Sequence, residues 1–171
     1  MMERIPKMLN CIEAEIKKAL GKRNKMWQQL ATQEVKPEIK DFFEKQGEIS
    51  EGSLVLTYLK SSYITGSHQF KIAIYIDPFV EIYPPHRYIN VALLFLDMEA
   101  DMDIFIKQLD QHFICILKSE IEEIRRYYVE LLYVESVTYF KQVFSELQND
   151  IELPAVYFGA ELGEVELIKE L

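Results

Sequence analysis

Three histidines and one glutamate are the residues whose types could support catalysis in this chain. His68, His86 and His112 lie in three different predicted elements, and Glu130 lies in the apolar run 127–134. Burial raises the pKa of a carboxyl group and makes it a candidate general acid or base. A small enzyme with a cleft formed by His68, His86 and Glu130 is therefore one alternative. No catalytic residue is assigned, because these groups must first meet within hydrogen-bond reach.

Each of these residues also has a structural explanation, which we favour. Arg126 precedes Glu130 by four residues, and an ion pair across one turn of an exposed helix edge accounts for both. The histidines show neither a close helical pair nor the H-E-x-x-H pattern of a catalytic zinc site. We expect them at the surface or at the edges of elements, and we predict no metal site and no cofactor.

Four acidic residues stand at every second position where a helix is predicted to begin: Asp97, Glu99, Asp101 and Asp103. Alternating carboxylates are typical of a calcium-binding loop, but position six would be Met102 instead of glycine and position twelve would be Gln108 instead of glutamate. Acidic residues in the first turn stabilise a helix through its dipole. We therefore expect a helix start and no calcium site.

The most polar turn of the chain precedes its clearest strand. It contains Ser61, Ser62, Thr65, Gly66, Ser67 and His68. A serine beside a histidine can act as a nucleophile, but the G-x-S-x-G elbow and the phosphate-binding G-K-[ST] pattern are both missing. Hydroxyl groups in turns commonly hydrogen-bond to the local backbone, and that is the interpretation we favour here.

One stretch has the composition of a recognition surface. It consists of Tyr83, Pro84, Pro85, His86, Arg87 and Tyr88. Two prolines hold the backbone extended, and Tyr and Arg dominate binding hot spots. The sequence therefore predicts a protein-binding segment at 83–88. The alternative is a rigid connection whose aromatic side chains pack against the core.

The longest helical pattern, 119–147, is expected to position these groups. Ser119 and Glu122 form a capping-box pattern at its start. Two apolar stripes follow, about 120° apart at 100° per residue. The first consists of Ile121, Ile124, Tyr128 and Leu131, and the second of Tyr133, Val137, Phe140, Phe144 and Leu147. Either the helix is buried all round at its middle, or it bends near 135–136 and contacts two neighbours.

The second stripe also suggests self-association. If Tyr133, Val137, Phe140 and Phe144 are partly exposed in one chain, a homodimer would cover them.

Periodicity and turn residues predict the remaining elements. Helices are expected at 5–33, 38–46 and 97–113, strands at 69–76, 79–83 and 155–158. The apolar segment 53–63 is ambiguous between strand and helix, and we favour a helix. The run 89–96 is either a central strand or the entry to a helix. The tail 159–171 is a docked element or a mobile end.

Composition limits the functional classes. A net charge of −9 over 171 residues disfavours phosphate binding. The basic run 17–25 is interpreted as the solvated face of a helix. Cys11 and Cys115 are isolated and form no disulfide framework, no apolar run reaches the length of a membrane span, and no signal peptide is indicated. We therefore expect a cytoplasmic protein with no membrane and no nucleic-acid partner.

These patterns predict one helix-dominated α+β domain with a small antiparallel sheet built on 69–76 and helices mainly on one face. Its predicted parts are the N-terminal helices at 5–46, a helix and strand region with the small sheet at 53–96, further helices at 97–147, and a short strand with an acidic tail at 148–171. The predicted function is non-catalytic binding of another protein, or self-association into a homo-oligomer. Besides the enzyme, a second alternative is an acidic nucleic-acid mimic, which requires carboxylates clustered on one face.

Overall fold

The computed structural model describes residues 3–29, 35–46, 52–75, 84–152, 154–161 and 163–169. The elements in chain order are α1 (Arg4–Gln29), α2 (Lys36–Gln46), β1 (Ser53–Tyr58), α3 (Lys60–Thr65), β2 (Gln69–Tyr75), β3 (His86–Asn90), a 3-10 turn (Ala92–Phe95), α4 (Met98–Asp110), α5 (Lys118–Glu135), α6 (Val137–Leu147), β4 (Ala155–Ala160) and β5 (Val165–Lys169). The fold is a helix-dominated α+β domain, as predicted.

The described strands form one five-stranded sheet in the order β3-β2-β1-β4-β5. All pairs are antiparallel except β1 with β4, which are parallel. The expectation of an antiparallel sheet is therefore wrong for this pair. Parallel neighbours need a long crossover connection, and the helices α4, α5 and α6 lie in the chain between β1 and β4.

The segment 53–63, for which we favoured a helix, begins with the central strand β1. Leu54 and Leu56 are buried on the face that packs against the helices, and Val55 is buried on the opposite face. A strand buried on both faces shows no alternation of apolar and polar residues, so its sequence gives no period of two. Helix begins only at Lys60.

The other strand expectations have mixed outcomes. β2 confirms the alternating pattern at 69–76, and β4 confirms the strand expected at 155–158. The run 89–96 is not a central strand, since β3 is an edge strand that ends at Asn90, and its second half forms a 3-10 turn that precedes α4. The strand expected at 79–83 lies outside the described residues. Within the tail, 165–169 forms β5.

The pattern at 119–147 is two helices, as the bending alternative predicted. α5 ends at Glu135 and α6 begins at Val137, with the buried Ser136 between them. The hydroxyl of Ser136 donates a hydrogen bond of 2.6 Å to the carbonyl of Tyr133. Tyr128 of the first stripe contacts Phe105 of α4, and Tyr133 of the second stripe stacks on Tyr58 of β1.

The start of α5 differs from the expected capping box. The helix begins at Lys118, and Glu120 instead of Glu122 folds back to accept a hydrogen bond of 2.8 Å from the N–H of Leu117. Glu120 is buried and also pairs with Arg4 of α1 at 3.3 Å. The carboxylate therefore joins the start of α5 to the start of α1.

The core between the sheet and the helices is rich in aromatic rings. Tyr58 of β1 stacks on Tyr133 of α5 with ring centroids 5.1 Å apart, and Phe70 of β2 lies 4.9 Å from Phe140 of α6. Phe158 of β4 joins the same cluster. These contacts between strands and helices fix the helical layer on one face of the sheet.

Candidate protein-binding surface

The face of the sheet turned away from this core, which we call the outer face, carries the alternate side chains of every strand. The strand registers place His86, Ala73, Val55, Tyr157 and Leu167 in one row across the five strands. Because side chains alternate along a strand, residues paired in this row point to the same side.

The outer face is apolar at its centre and exposed at its edges. Val55 and Ala73 are buried, whereas Leu167 is 41% exposed at one edge and Tyr88 is 48% exposed at the other. His86 is exposed beside Tyr88, and their rings meet edge to face with centroids 5.6 Å apart. The surface of the outer face that a partner could contact is therefore at its edges, and exposed tyrosines are enriched at binding hot spots.

The predicted recognition stretch is divided between the two faces of the sheet. Tyr83 lies outside the described residues. Pro84 is buried and its carbonyl lies 3.0 Å from Nδ1 of His86, while Pro85 is exposed. The stretch is therefore a short connection that becomes the edge strand β3, with His86 and Tyr88 on the outer face.

Arg87 points to the opposite face and joins β3 to α2. Its guanidinium donates to the carboxylate of Asp41 at 2.8 Å and to the carbonyl of Glu38 at 3.2 Å, and it lies over the ring of Phe42 at 5.9 Å. Hydrogen bonds from Lys45 and Arg87 lower the pKa of the Asp41 carboxyl group. Arg87 therefore contributes to the attachment of α2, and the exposed members of the described stretch are Pro85, His86 and Tyr88.

The structure does not bring the residues of the enzymatic alternative together. His68 lies on the helix side, where its ring stacks on Phe95, and His86 lies on the outer face opposite Ala73. His68 precedes β2, and Ala73 lies four positions beyond the start of that strand, which is about 13 Å at the usual rise of a strand. The two histidines therefore share no cleft.

Glu130 has the exposed position that the favoured interpretation expected, but it does not have the expected partner. It is exposed, so the buried carboxylate that acid–base chemistry would need is missing. Its expected partner Arg126 instead forms an ion pair with Glu123, three residues before it. The neighbouring Arg125 links two helices, since it forms an ion pair with Glu99 of α4.

The remaining candidates for chemistry have structural roles. His112 is exposed at the end of α4, where its Nε2 lies 3.4 Å from the amide of Gln108. In the polar turn, the hydroxyl of Thr65 donates to the carbonyl of Ser61 and lies 3.0 Å from that of Ser67. Among the residues that the structure describes, no group of three or more His, Cys, Asp or Glu side chains is placed to hold a metal ion.

His68 has a strained and partly buried environment. Its backbone φ of 45° is left-handed, and its ring stacks face to face on Phe95 with centroids 4.2 Å apart. Its Nδ1 is buried and has no hydrogen-bond partner within the described ranges. Burial of the ring lowers the pKa of His68 below the ordinary value of 6.5. The neutral imidazole is therefore the form that fits the fold.

We expect this histidine to make the free energy of unfolding depend on pH. The unfolded chain takes up a proton at His68 near pH 6.5, whereas the folded chain takes it up at lower pH, so the stabilisation is complete above pH 6.5 and is lost as the pH falls through the folded pKa. One proton gives a slope of at most about 1.4 kcal/mol per pH unit, and partial exposure keeps it below that limit. Urea unfolding between pH 5 and 7 measures the slope.

Asn is the suitable replacement for His68, because Asn tolerates left-handed backbone. His68→Asn should reduce the slope, and the matched control His112→Asn, at an exposed position, should retain it. Equal slopes in wild type and His68→Asn would contradict the assignment.

A buried polar network joins three helices and was not predicted. Arg23 of α1, Asp101 of α4 and Tyr128 of α5 are all buried. Asp101 Oδ2 accepts hydrogen bonds from Arg23 Nε at 2.9 Å, from Arg23 Nη2 at 2.5 Å and from the Tyr128 hydroxyl at 2.7 Å. Arg23 also donates to the carbonyls of Leu94 and Leu96 after β3. The network therefore fastens the 3-10 turn to the helical layer.

One interpretation of the sequence fails at this network, because Arg23 was assigned to a solvated basic face and is buried. Asp101 lies in the first turn of α4, as expected of the acids at this helix start, but it is also buried. The available signal was the helical spacing of Arg23 with the buried Ile16, Ala19 and Trp27, which places a cation on the apolar stripe of α1. Burial of Tyr128 raises the pKa of its hydroxyl group, and the hydrogen bond to Asp101 raises it further. The hydroxyl therefore remains a donor.

The residues expected to support self-association are core residues instead. Tyr133, Phe140 and Phe144 are fully buried within the chain, and Val137 is half-buried and packs against the same core. The sheet already covers the second apolar stripe. These side chains therefore do not form an exposed surface for a second copy.

Charges on the helical layer are mixed in sign. Carboxylates of α1, α2 and α5 pair with lysines or arginines of the same helices, as in Glu13 with Lys17, Asp41 with Lys45 and Glu123 with Arg126. A nucleic-acid mimic needs an uninterrupted acidic face, and this interspersed pattern disfavours it.

Comparison of the chain with protein-family models, with curated proteins and with solved structures gives no match. In the part of the chain that the structure describes, no helix is both long and apolar enough to cross a membrane. We therefore infer the function from the geometry of the chain itself.

Proposed function

We propose that this chain is a non-catalytic protein-binding module whose binding surface is the outer face of the sheet at β3. The exposure of Tyr88 carries the proposal: 48% of this large aromatic residue is accessible on an edge strand, beside the exposed His86. Truncation of exposed aromatic anchors of this kind commonly causes the largest losses of affinity at interfaces.

Two observations support binding over catalysis and over recognition of nucleic acid. His68 lies on the helix side and His86 on the outer face, so the two histidines cannot act on one substrate atom. The net charge of −9 and the pairing of basic side chains with carboxylates disfavour contact with phosphates.

We assign the protein to the cytoplasm. Cys11 is half-buried and Cys115 is exposed, and both are free thiols. An exposed thiol persists best in a reducing compartment.

The test compares partner capture by the wild type and by two variants matched in residue type and exposure. Tyr88→Ala removes the proposed anchor, whereas Tyr127→Ala removes a tyrosine that is 42% exposed on α5. Tagged proteins are used for affinity capture from the native host, and bound proteins and small molecules are quantified by mass spectrometry. We expect Tyr88→Ala to reduce recovery of the partner by at least about tenfold and Tyr127→Ala to leave it unchanged.

Both positions are exposed, so the two variants should unfold at the same temperature as the wild type, which circular dichroism checks. Equal recovery with all three proteins would contradict the proposed surface. A stoichiometric small molecule without a protein partner would contradict the binding function and favour the enzymatic alternative.

A further inference from the structure

The outward edge of β3 is open in the described structure. The N–H of Ile74 bonds to the carbonyl of Pro85 at 3.1 Å, and the N–H of Val91 bonds to the carbonyl of His68 at 3.0 Å. These two bonds show which residues of β3 direct their backbone groups toward β2, because backbone groups of successive residues point alternately toward and away from the neighbouring strand. The residues that point away from β2 are His86, Tyr88 and Asn90. Their backbone groups have no partner within the described ranges.

β3 lacks the features that usually prevent pairing between sheet edges. Proteins protect edge strands with exposed charges, prolines or bulges. The register of β3 with β2 is regular, and its one arginine, Arg87, points to the helix side and pairs with Asp41. The other edge strand, β5, has a shift in register at 156–157 and carries the exposed Glu166. Within the described strands, the β5 edge therefore carries protective features that residues 86–90 lack.

The ends of this open edge determine how a second strand can pair with it. On one side Pro84 has no N–H, and on the other the N–H of Ala92 is already bonded to the side-chain oxygen of Asn90 at 2.9 Å. Three outward residues remain, with Tyr88 at their centre. Such a window is self-complementary when two copies pair antiparallel, because Tyr88 then faces Tyr88 and His86 faces Asn90.

We propose that two copies of this chain pair through β3 around a two-fold axis at Tyr88, which joins their sheets. This inference rests on the proposed function, because it assigns a second copy to the same surface. Three opposed residue pairs exchange about six backbone hydrogen bonds. The two tyrosine rings lie side by side on the outer face, and on the helix side Arg87 faces Ile89, so the two arginines do not oppose each other.

The association is weak. Two five-residue strand edges bury less than the roughly 1,200 Å² of a standard interface, so we expect a dissociation constant of about 10 µM to 1 mM. Sedimentation equilibrium of the purified protein up to about 1 mM covers that range. The wild type should change from monomer to dimer as its concentration rises.

Charged substitutions at Tyr88 test the register in which the two β3 strands pair. Tyr88→Lys places two ammonium groups opposite each other, and Tyr88→Glu places two carboxylates there, so each variant alone should dimerise at least about tenfold more weakly than the wild type. An equimolar mixture places a cation opposite an anion and should dimerise at least about fivefold more tightly than either variant alone. Tyr127→Lys on α5 is the matched control and should dimerise like the wild type.

Three results would overturn the inference: a wild type that stays monomeric throughout, a dimer that both charge variants retain, or a mixture that associates no better than its components. Circular dichroism of each variant shows that a lost dimer is not a lost fold. The purified protein contains no other partner, so a monomeric wild type would contradict the dimer without contradicting the result of the capture experiment. Failure of the capture experiment leaves the sedimentation result unaffected.

Discussion

Replacing Asp101 with alanine should lower the free energy of unfolding by about 3–5 kcal/mol, because it removes one member of a buried ion pair and leaves the other charge uncompensated. Arg23 is 3% exposed and would retain only neutral acceptors, the carbonyls of Leu94 and Leu96 and the hydroxyl of Tyr128. The buried hydroxyl of Tyr128 would lose its acceptor as well. Urea unfolding followed by circular dichroism measures the change.

Asp103→Ala is the matched control for this prediction. Asp103 lies on the same helix two residues later, is exposed, and should change stability by no more than about 0.5 kcal/mol when truncated. A loss below about 1 kcal/mol for Asp101→Ala would show that the buried arginine finds other partners. Replacement of the pair by apolar residues can be neutral, so the predicted cost belongs to the broken pair and not to the polar network as a whole.

The network also shows what sequence patterns can and cannot establish. A charged residue on an apolar helical stripe is visible at Arg23, but its partners follow 78 and 105 positions later in the chain. No local pattern connects them, because the contact exists only after α1, α4 and α5 pack together. Periodicity therefore predicts that a face is buried and leaves the partner undetermined.

The strands show the same limit of local sequence patterns, here for the pairing of strands. β2 was predictable because one of its faces is buried more completely than the other, and its sequence alternates accordingly. β1 was mistaken for a helix because both of its faces are buried at the centre of the sheet. The parallel pairing of β1 with β4 depends on the path of three intervening helices, which local periodicity does not encode.

The candidate surface was found only in part. The segment 83–88 was selected by composition, and His86 and Tyr88 are exposed as a recognition segment requires. The same composition gave no reason to separate Arg87, which the alternation of β3 turns to the helix side and toward Asp41. Knowledge that the segment is a strand was needed to divide its side chains between two faces.

Phe140→Ala should lower the free energy of unfolding by about 3–5 kcal/mol, because it leaves a large cavity in the aromatic core. The ring is fully buried and contacts Phe70 at 4.9 Å and Tyr139 at 5.5 Å between centroids. Val134→Ala, at a position 48% exposed on α5, is the control and should change stability by no more than about 0.5 kcal/mol. Urea unfolding and sedimentation separate the two roles considered for this residue. A core residue changes stability without weakening association of the folded protein, whereas a self-association residue would do the reverse.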